Sequence, residues 1–134
     1  LKGQMLFENG RAAVALGSYE RAVQLLPSSS LLRSGLAQAQ LEMNDPALLE
    51  PAILNFRAAL HRDSGRPFLW HQLAIAYGRQ GRMGHSSLAL AEEAMLKGKA
   101  KVARYQAGRA ATLLPRGSVG WLQSQDILQA ARKK

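Results

Sequence analysis

The sequence predicts an all-α protein of about eight antiparallel helices, arranged as three and a half to four helical hairpins. Hydrophobic residues make up 47% of the 134 residues, but aromatic residues make up only 6%. Alanine and leucine dominate the apolar set, whereas the valine and isoleucine that strands favour are scarce. The apolar residues also recur three and four positions apart, which places them on one face of a helix. A chain of this length can bury a core of packed helices.

The clearest helical pattern runs from Trp70 to Gly81. Trp70, Leu73 and Tyr77 share one face, and Ala74 lies beside them where a neighbouring helix must come close. Gly81 follows as a helix C-cap. This spacing resembles the first helix of a tetratricopeptide (TPR) repeat. The resemblance implies an α-solenoid, in which successive helical hairpins stack on one another.

We call this spacing of residues 70–81 the repeat frame, and it recurs twice nearer the N-terminus. Ala37 stands 37 residues before Ala74, and Gly3 stands 34 residues before Ala37, which is the period of the TPR repeat. Gly10 and Asn44 take the position of the capping glycine. The three extra residues in the later interval fit an extended turn around residues 44–51, which contains Asn, Asp and two prolines.

The second helices of these hairpins have a pattern of their own. Tyr19 and Phe56 lie 37 residues apart, and each stands between alanines at helical spacing. Small residues there let two helices approach, while the aromatic ring fills the gap between repeats. Pro27 and residues 64–65 (Ser-Gly) then end the two helices.

Beyond residue 81 the residue pattern no longer follows the period of the repeat. Further helices are expected at about residues 86–97, 99–114 and 119–131, the last capping the open end of the stack. The chain is expected to form one domain with repeats at about 1–27, 30–64, 67–97 and 99–131. Because the tryptophan position of the first repeat would fall before Leu1, we expect this domain to belong to a longer protein.

Positive charge is concentrated at the C-terminal end. The chain carries a net charge of +9, of which residues up to 96 contribute +1 and residues from 97 onward contribute +8. A basic block of this kind can bind phosphate, anionic lipid or an acidic protein face. The candidate docking residues are Lys97, Lys99, Lys101, Arg104 and Arg109.

Catalytic patterns are absent from the sequence. There is no cysteine, and His61, His71 and His85 stand alone without the H-E-x-x-H spacing of zinc proteases. Ser, His and Asp occur without a nucleophile-elbow motif, and a solvated helix face explains Glu92 and Glu93. We therefore expect a non-enzymatic domain with no cofactor or metal of its own. The chain also lacks an apolar run of about 18 residues, so no transmembrane segment is expected.

The TPR resemblance implies a concave groove, lined by first helices, that takes an extended peptide or a partner helix. The groove positions carry Gln4, Phe7, Glu8, Ser34, Gln38, Leu41, Glu42, His71, Ile75 and Arg79. Some TPR proteins hold a partner's C-terminal carboxylate with Lys and Asn on the first helices. Those positions are Ser34, Gln38, His71 and Ile75 here, so no carboxylate clamp is expected.

Three stretches resemble one particular family more closely. The first reads LKGQ at residues 1–4 with ENG at 8–10, and the second reads LRSGLAQA at 32–39 with DPALL at 45–49. The third reads WHQLAIAYG at 70–78 followed by SLALAEEA at 87–94. They are similar to the C-terminal TPR region of BepA-like periplasmic zinc metalloproteases. In that family an N-terminal H-E-x-x-H domain holds the catalytic zinc, and the TPR region packs against it and helps recruit substrates or the outer-membrane assembly machinery. The resemblance implies a periplasmic location.

Three functional hypotheses follow. The leading one is a scaffold domain that binds its own upstream protease domain and substrate or outer-membrane assembly proteins. The alternative is a free-standing TPR adaptor that binds a peptide or helix in its groove. The third, a nucleic-acid binder, has only the basic charge in its favour, because no aromatic residues interleave with the cations in a recognised motif.

Overall fold

The computed structural model describes the backbone of residues 2–133 and the side chains of residues 10–133, and this part of the chain is all-helical. It contains seven α-helices and one short 3-10 helix, grouped into two compact units, Leu1–Ser64 and Gly65–Lys134. The first unit comprises α1 (Lys2–Leu25), α2 (Ser30–Glu42), the 3-10 helix (Pro46–Leu48) and α3 (Leu49–Arg62). The second comprises α4 (Pro67–Arg79), α5 (Met83–Leu96), α6 (Ala100–Leu113) and α7 (Val119–Arg132).

The hairpin expected within residues 1–27 is instead the single helix α1. Gly10 lies inside this helix and does not adopt the positive φ of a capping glycine. A glycine in a helix interior costs only about 1 kcal/mol relative to alanine, and the residues that follow Gly10 are mostly good helix formers. The helix therefore continues to Leu25, two residues before Pro27. For this reason the expected count of eight helices is not confirmed within the described residues.

Asn44 and Gly81, at the other two capping positions of the repeat frame, have the backbone conformation expected of helix C-caps. Asn44 has φ 55° and Gly81 has φ 76°, the left-handed conformation that ends a helix. Gly98, in the next turn, has φ 72°. There the Lys99 N–H donates to the Ala94 carbonyl at 2.8 Å, which satisfies an acceptor at the end of α5. These three turns reverse the chain in few residues, so that consecutive helices pack together.

In the first unit α1 packs against α2, and α2 packs against α3. Phe56 and Ile53 of α3 are fully buried between small neighbours. The ring of Tyr19 lies directly against the backbone of α2 at Gly35, where a side chain would have no room. The small residue thus sets how closely α1 and α2 approach.

In the second unit each helix packs against the next, and α5 also contacts α7. Ala103, Ala107 and Ala110 of α6 are completely buried, and these small residues let the neighbouring helices approach closely. Leu114 fills the space left by Gly84 of α5 and Gly120 of α7. The predicted helices at 86–97, 99–114 and 119–131 are confirmed to within three residues at each end.

Candidate functional site

Three groove candidates form a stripe along α4. His71, Ile75 and Arg79 are four residues apart and therefore lie on one side of that helix. His71 and Arg79 are exposed, and Ile75 is half-buried. The imidazole Nδ1 of His71 is 2.9 Å from the Oε1 carboxylate oxygen of Glu93 on α5. The stripe is thus bordered by a charged group from the neighbouring helix.

Glu93 joins two basic side chains. Its Oε2 accepts a hydrogen bond from Lys97 Nζ at 2.9 Å, while Oε1 faces His71, and its side chain is only 12% exposed. Burial acts to raise the pKa of Glu93, but the hydrogen bonds from Lys97 and His71 outweigh it and hold the pKa below its ordinary value. The solvated face expected for Glu93 is therefore wrong. At Glu92 burial raises the pKa of the carboxyl.

The α2 candidates divide into interior and surface residues. Ser34 and Leu41 are buried, and the Ser34 hydroxyl donates to the Leu31 carbonyl of its own helix at 2.9 Å. Gln38 is half-buried and donates to the exposed Glu42 carboxylate at 3.5 Å. Among the four α2 candidates, only this last pair presents polar groups at the surface. The remaining groove candidates, whose side chains lie outside the described residues, are Gln4, Phe7 and Glu8.

Of the five basic candidates, two make contacts within the second unit and three are left for a partner. Lys97 is paired with Glu93, and Arg104 Nη1 donates to the carbonyl of Ala131 at 3.0 Å, which satisfies an acceptor at the C-terminal end of α7. Lys97 thus makes an ion pair within the end of α5, whereas Arg104 links α6 to α7. The ammonium and guanidinium groups left for a partner belong to Lys99, Lys101 and Arg109, all exposed.

Three exposed apolar side chains lie among these cations, and none of them was expected from the sequence. Val102 is 46% exposed, Tyr105 63% and Leu113 50%, and all three belong to α6. We call the surface formed by Lys101, Val102, Tyr105, Arg109 and Leu113 the α6 outer face. The signal was present in the sequence, because these positions repeat at helical spacing opposite the buried alanine stripe.

The α6 outer face has one sign of charge. The sequence contains no Asp or Glu between Lys97 and Gln125, so α6 contributes only cations. An exposed aromatic ring surrounded by cations and aliphatic side chains suits an acidic protein surface with apolar contacts at its centre.

No protein-family model matches the chain, and no curated protein matches its sequence. Among the described residues, no group of three or more His, Asp or Glu side chains is placed to hold a metal ion. None of the helices in that part of the chain is long and apolar enough to cross a bilayer.

Proposed function

We propose that this chain is a non-catalytic protein-interaction domain of the TPR type that serves an envelope metalloprotease. In this proposal the α6 outer face binds an acidic surface of the upstream protease domain. The α4 stripe contributes to a groove that captures substrate segments or an outer-membrane assembly partner.

Local geometry supports the TPR assignment. Asn44 and Gly81 hold the same left-handed turn at equivalent frame positions, 37 residues apart. Phe56 and the completely buried Ala52 and Ala59 stand where a TPR second helix places its aromatic residue and its small residues. These features, together with the three stretches that resemble BepA-like proteins, are the basis for proposing a solenoid and a periplasmic location.

The single observation that carries the docking proposal is the composition of the α6 outer face. Tyr105 is 63% exposed on a helix that contains cations and no acidic residue. Tyrosine and arginine are the residue types that most often dominate binding energy at protein interfaces. The flanking lysines would steer an acidic partner and make association depend on salt.

Charge-removal variants test the docking proposal without disturbing the fold. Lys97 and Arg104 are left unchanged, since each has a partner inside the unit. The variant to prepare is Lys99→Gln, Lys101→Gln, Arg109→Gln. Its affinity for a separately expressed H-E-x-x-H protease domain should fall about tenfold at low ionic strength, since exposed charge pairs contribute up to about 1 kcal/mol each.

The matched control removes three exposed cations from the first unit. It carries Arg21→Gln, Arg57→Gln and Arg62→Gln, which changes the net charge by the same amount. Equal weakening of both variants would show a general charge effect and contradict the docking proposal. A further variant, Tyr105→Ala, should weaken binding by a factor that persists at high salt, because its contribution is apolar.

The alternative function, a free-standing adaptor, leads to a different result. The chain would then not bind a protease domain at any salt concentration, while circular dichroism would show an intact helical fold. Binding of a peptide that depends on the α4 stripe and not on the α6 outer face would favour that alternative.

A further inference from the structure

The first unit contains an open depression of about 370 Å³ between the α1–α2 turn and the C-terminal end of α3. The described residues that line it come from three places along the chain. They are Pro27, Ser28, Ser30, Arg33, Ala58, His61 and Arg62. None of these lining residues is acidic, and two of them carry a permanent positive charge. The depression therefore has a strongly basic lining.

Arg33 is fixed in place by two hydrogen bonds, one of them to a buried side chain. Its Nε donates to the Pro27 carbonyl at 2.9 Å, and its Nη1 donates to Asn55 Oδ1 at 3.0 Å. Asn55 is buried, and its Nδ2 donates in turn to the buried Gln40 Oε1 at 3.0 Å. A guanidinium held in this way loses little conformational freedom when it binds a ligand.

The other polar groups of the depression complement Arg33. Arg62 and His61 are exposed at the end of α3, and Ser28 and Ser30, from the α1–α2 turn and the start of α2, carry two hydroxyl groups. Asp63 follows Arg62 in the chain but does not line the depression. The donors thus come from several directions toward one open space.

We propose that this depression binds a phosphate group. Arg33 and Arg62 would balance the charge of −1.5 to −2 that a phosphate monoester carries near neutral pH. The serine hydroxyls and His61 would donate hydrogen bonds to its remaining oxygens. A planar carboxylate, with one charge and two oxygens, would use fewer of these donors. This site lies in the first unit and does not depend on the function proposed above.

The test is a titration of the intact chain with inorganic phosphate, followed by ¹H–¹⁵N NMR at constant ionic strength. We expect saturable shifts at the Arg33 Nε–H and at the amides of Ser28 and Ser30. The dissociation constant should be on the order of 1 mM, since the contacts are few and partly exposed. Absence of saturable shifts up to about fifty times that concentration would overturn the proposal.

The decisive comparison uses two variants of α3 with the same change of charge. Arg62→Gln removes a cation from the lining, whereas Arg57→Gln removes an exposed cation that does not line the depression. We expect Arg62→Gln to weaken phosphate binding about two- to fivefold, the range for losing one exposed charge pair, and Arg57→Gln to leave it unchanged. Equal effects of the two variants would overturn the proposal. Arg33 is not replaced, because its loss would leave Asn55 Oδ1 without a donor.

A second arm identifies the source of the phosphate. Vesicles of phosphatidylcholine with and without phosphatidic acid are mixed with the two variants and floated. Capture that requires phosphatidic acid and is lost with Arg62→Gln but not with Arg57→Gln would assign the site to a lipid headgroup. Saturable binding of inorganic phosphate without such capture would assign it to a soluble phosphate compound.

Discussion

The close approach of α1 and α2 gives a sharp prediction for Gly35→Ala. A Cβ at this position would lie 2.6 Å from Cζ and 2.8 Å from Cδ1 of the Tyr19 ring. Carbon atoms in ordinary contact are about 3.5–4.0 Å apart, so the ring or the helix must move by roughly 1 Å. An aromatic ring is rigid, and it cannot relieve the overlap by bending.

The magnitude follows from two opposing effects. Overpacking of this kind costs about 1–3 kcal/mol. Replacing a helical glycine by alanine returns about 1 kcal/mol through helix propensity. The net expectation is that Gly35→Ala lowers the free energy of unfolding by up to about 2 kcal/mol.

The assay is urea denaturation followed by far-ultraviolet circular dichroism. Tryptophan fluorescence is unsuitable, because Trp70 and Trp121 both belong to residues 65–134. The matched control is Gly17→Ala in α1, where the new Cβ would meet only Arg21 Nη1 at an ordinary 3.6 Å. This control should gain about 0.5–1 kcal/mol.

A double-mutant cycle isolates the contact itself. In a Tyr19→Ala background the overlap is gone, so Gly35→Ala should become stabilising by about 1 kcal/mol. This reversal of sign is the essential result. If Gly35→Ala has the same effect with and without the Tyr19 ring, the packing described for α1 and α2 is wrong.

Three further predictions concern the second unit. Gly84→Ala should cost up to about 2 kcal/mol, because its Cβ would lie 2.8 Å from Leu114 Cδ2. Gly108→Ala, with open space around it, should gain about 0.5–1 kcal/mol. Urea titration followed by tryptophan fluorescence measures both. Glu93→Gln should lower stability by about 1 kcal/mol at neutral pH. The folded-state pKa of Glu93 is lowered, so its stabilising contribution is present above the ordinary value of 4.5 and is lost as pH falls through the lower, folded pKa. Arg104→Gln should cost about 1 kcal/mol through the lost hydrogen bond to the end of α7, measured by thermal unfolding.

Each of these predictions has an outcome that would contradict it. Equal stabilities of Gly84→Ala and Gly108→Ala would argue against the tight fit around Leu114. For Glu93, a gap between wild type and variant that stays constant from pH 6 to pH 3 would show that its carboxylate has no ionic partners. Arg104→Gln should also increase hydrogen exchange at the end of α7, and unchanged exchange there would argue against its bond to Ala131.

Much of the helix pattern was predictable because local and non-local signals agree. At Gly81 and Gly98 a glycine follows a periodic apolar segment, and each adopts the left-handed conformation that ends a helix. The buried alanines of α6 likewise repeat at a spacing that only a helix places on one face. Where composition, period and turn chemistry coincide, the sequence predicts the element and its ends.

The prediction for Gly10 failed for a physical reason. It occupies the same frame position as Gly81, but the six residues that follow it, RAAVAL, contain no proline or other turn-forming residue. Two turns of good helix formers on either side stabilise the helix by more than one glycine destabilises it. A repeat frame therefore indicates where a turn can form, and the neighbouring residues decide whether it does.

The candidate site was less predictable, since its residues depend on distant partners. Glu93 and Lys97 are four residues apart, a pair that the sequence itself suggests, but the contact of Glu93 with His71 of α4 spans 22 residues. Arg104 bonds a carbonyl 27 residues later, a contact that no local pattern encodes. Docking residues could be separated from structural ones only after the packing of α5, α6 and α7 was known.

The proposal that the α6 outer face is a docking surface is tested most directly by amide hydrogen exchange. The chain is measured alone and with an excess of a separately expressed H-E-x-x-H protease domain at low salt. We predict added protection concentrated in residues 100–113, and its loss when salt is raised. Protection confined to the α4 stripe, or no added protection at all, would contradict the account.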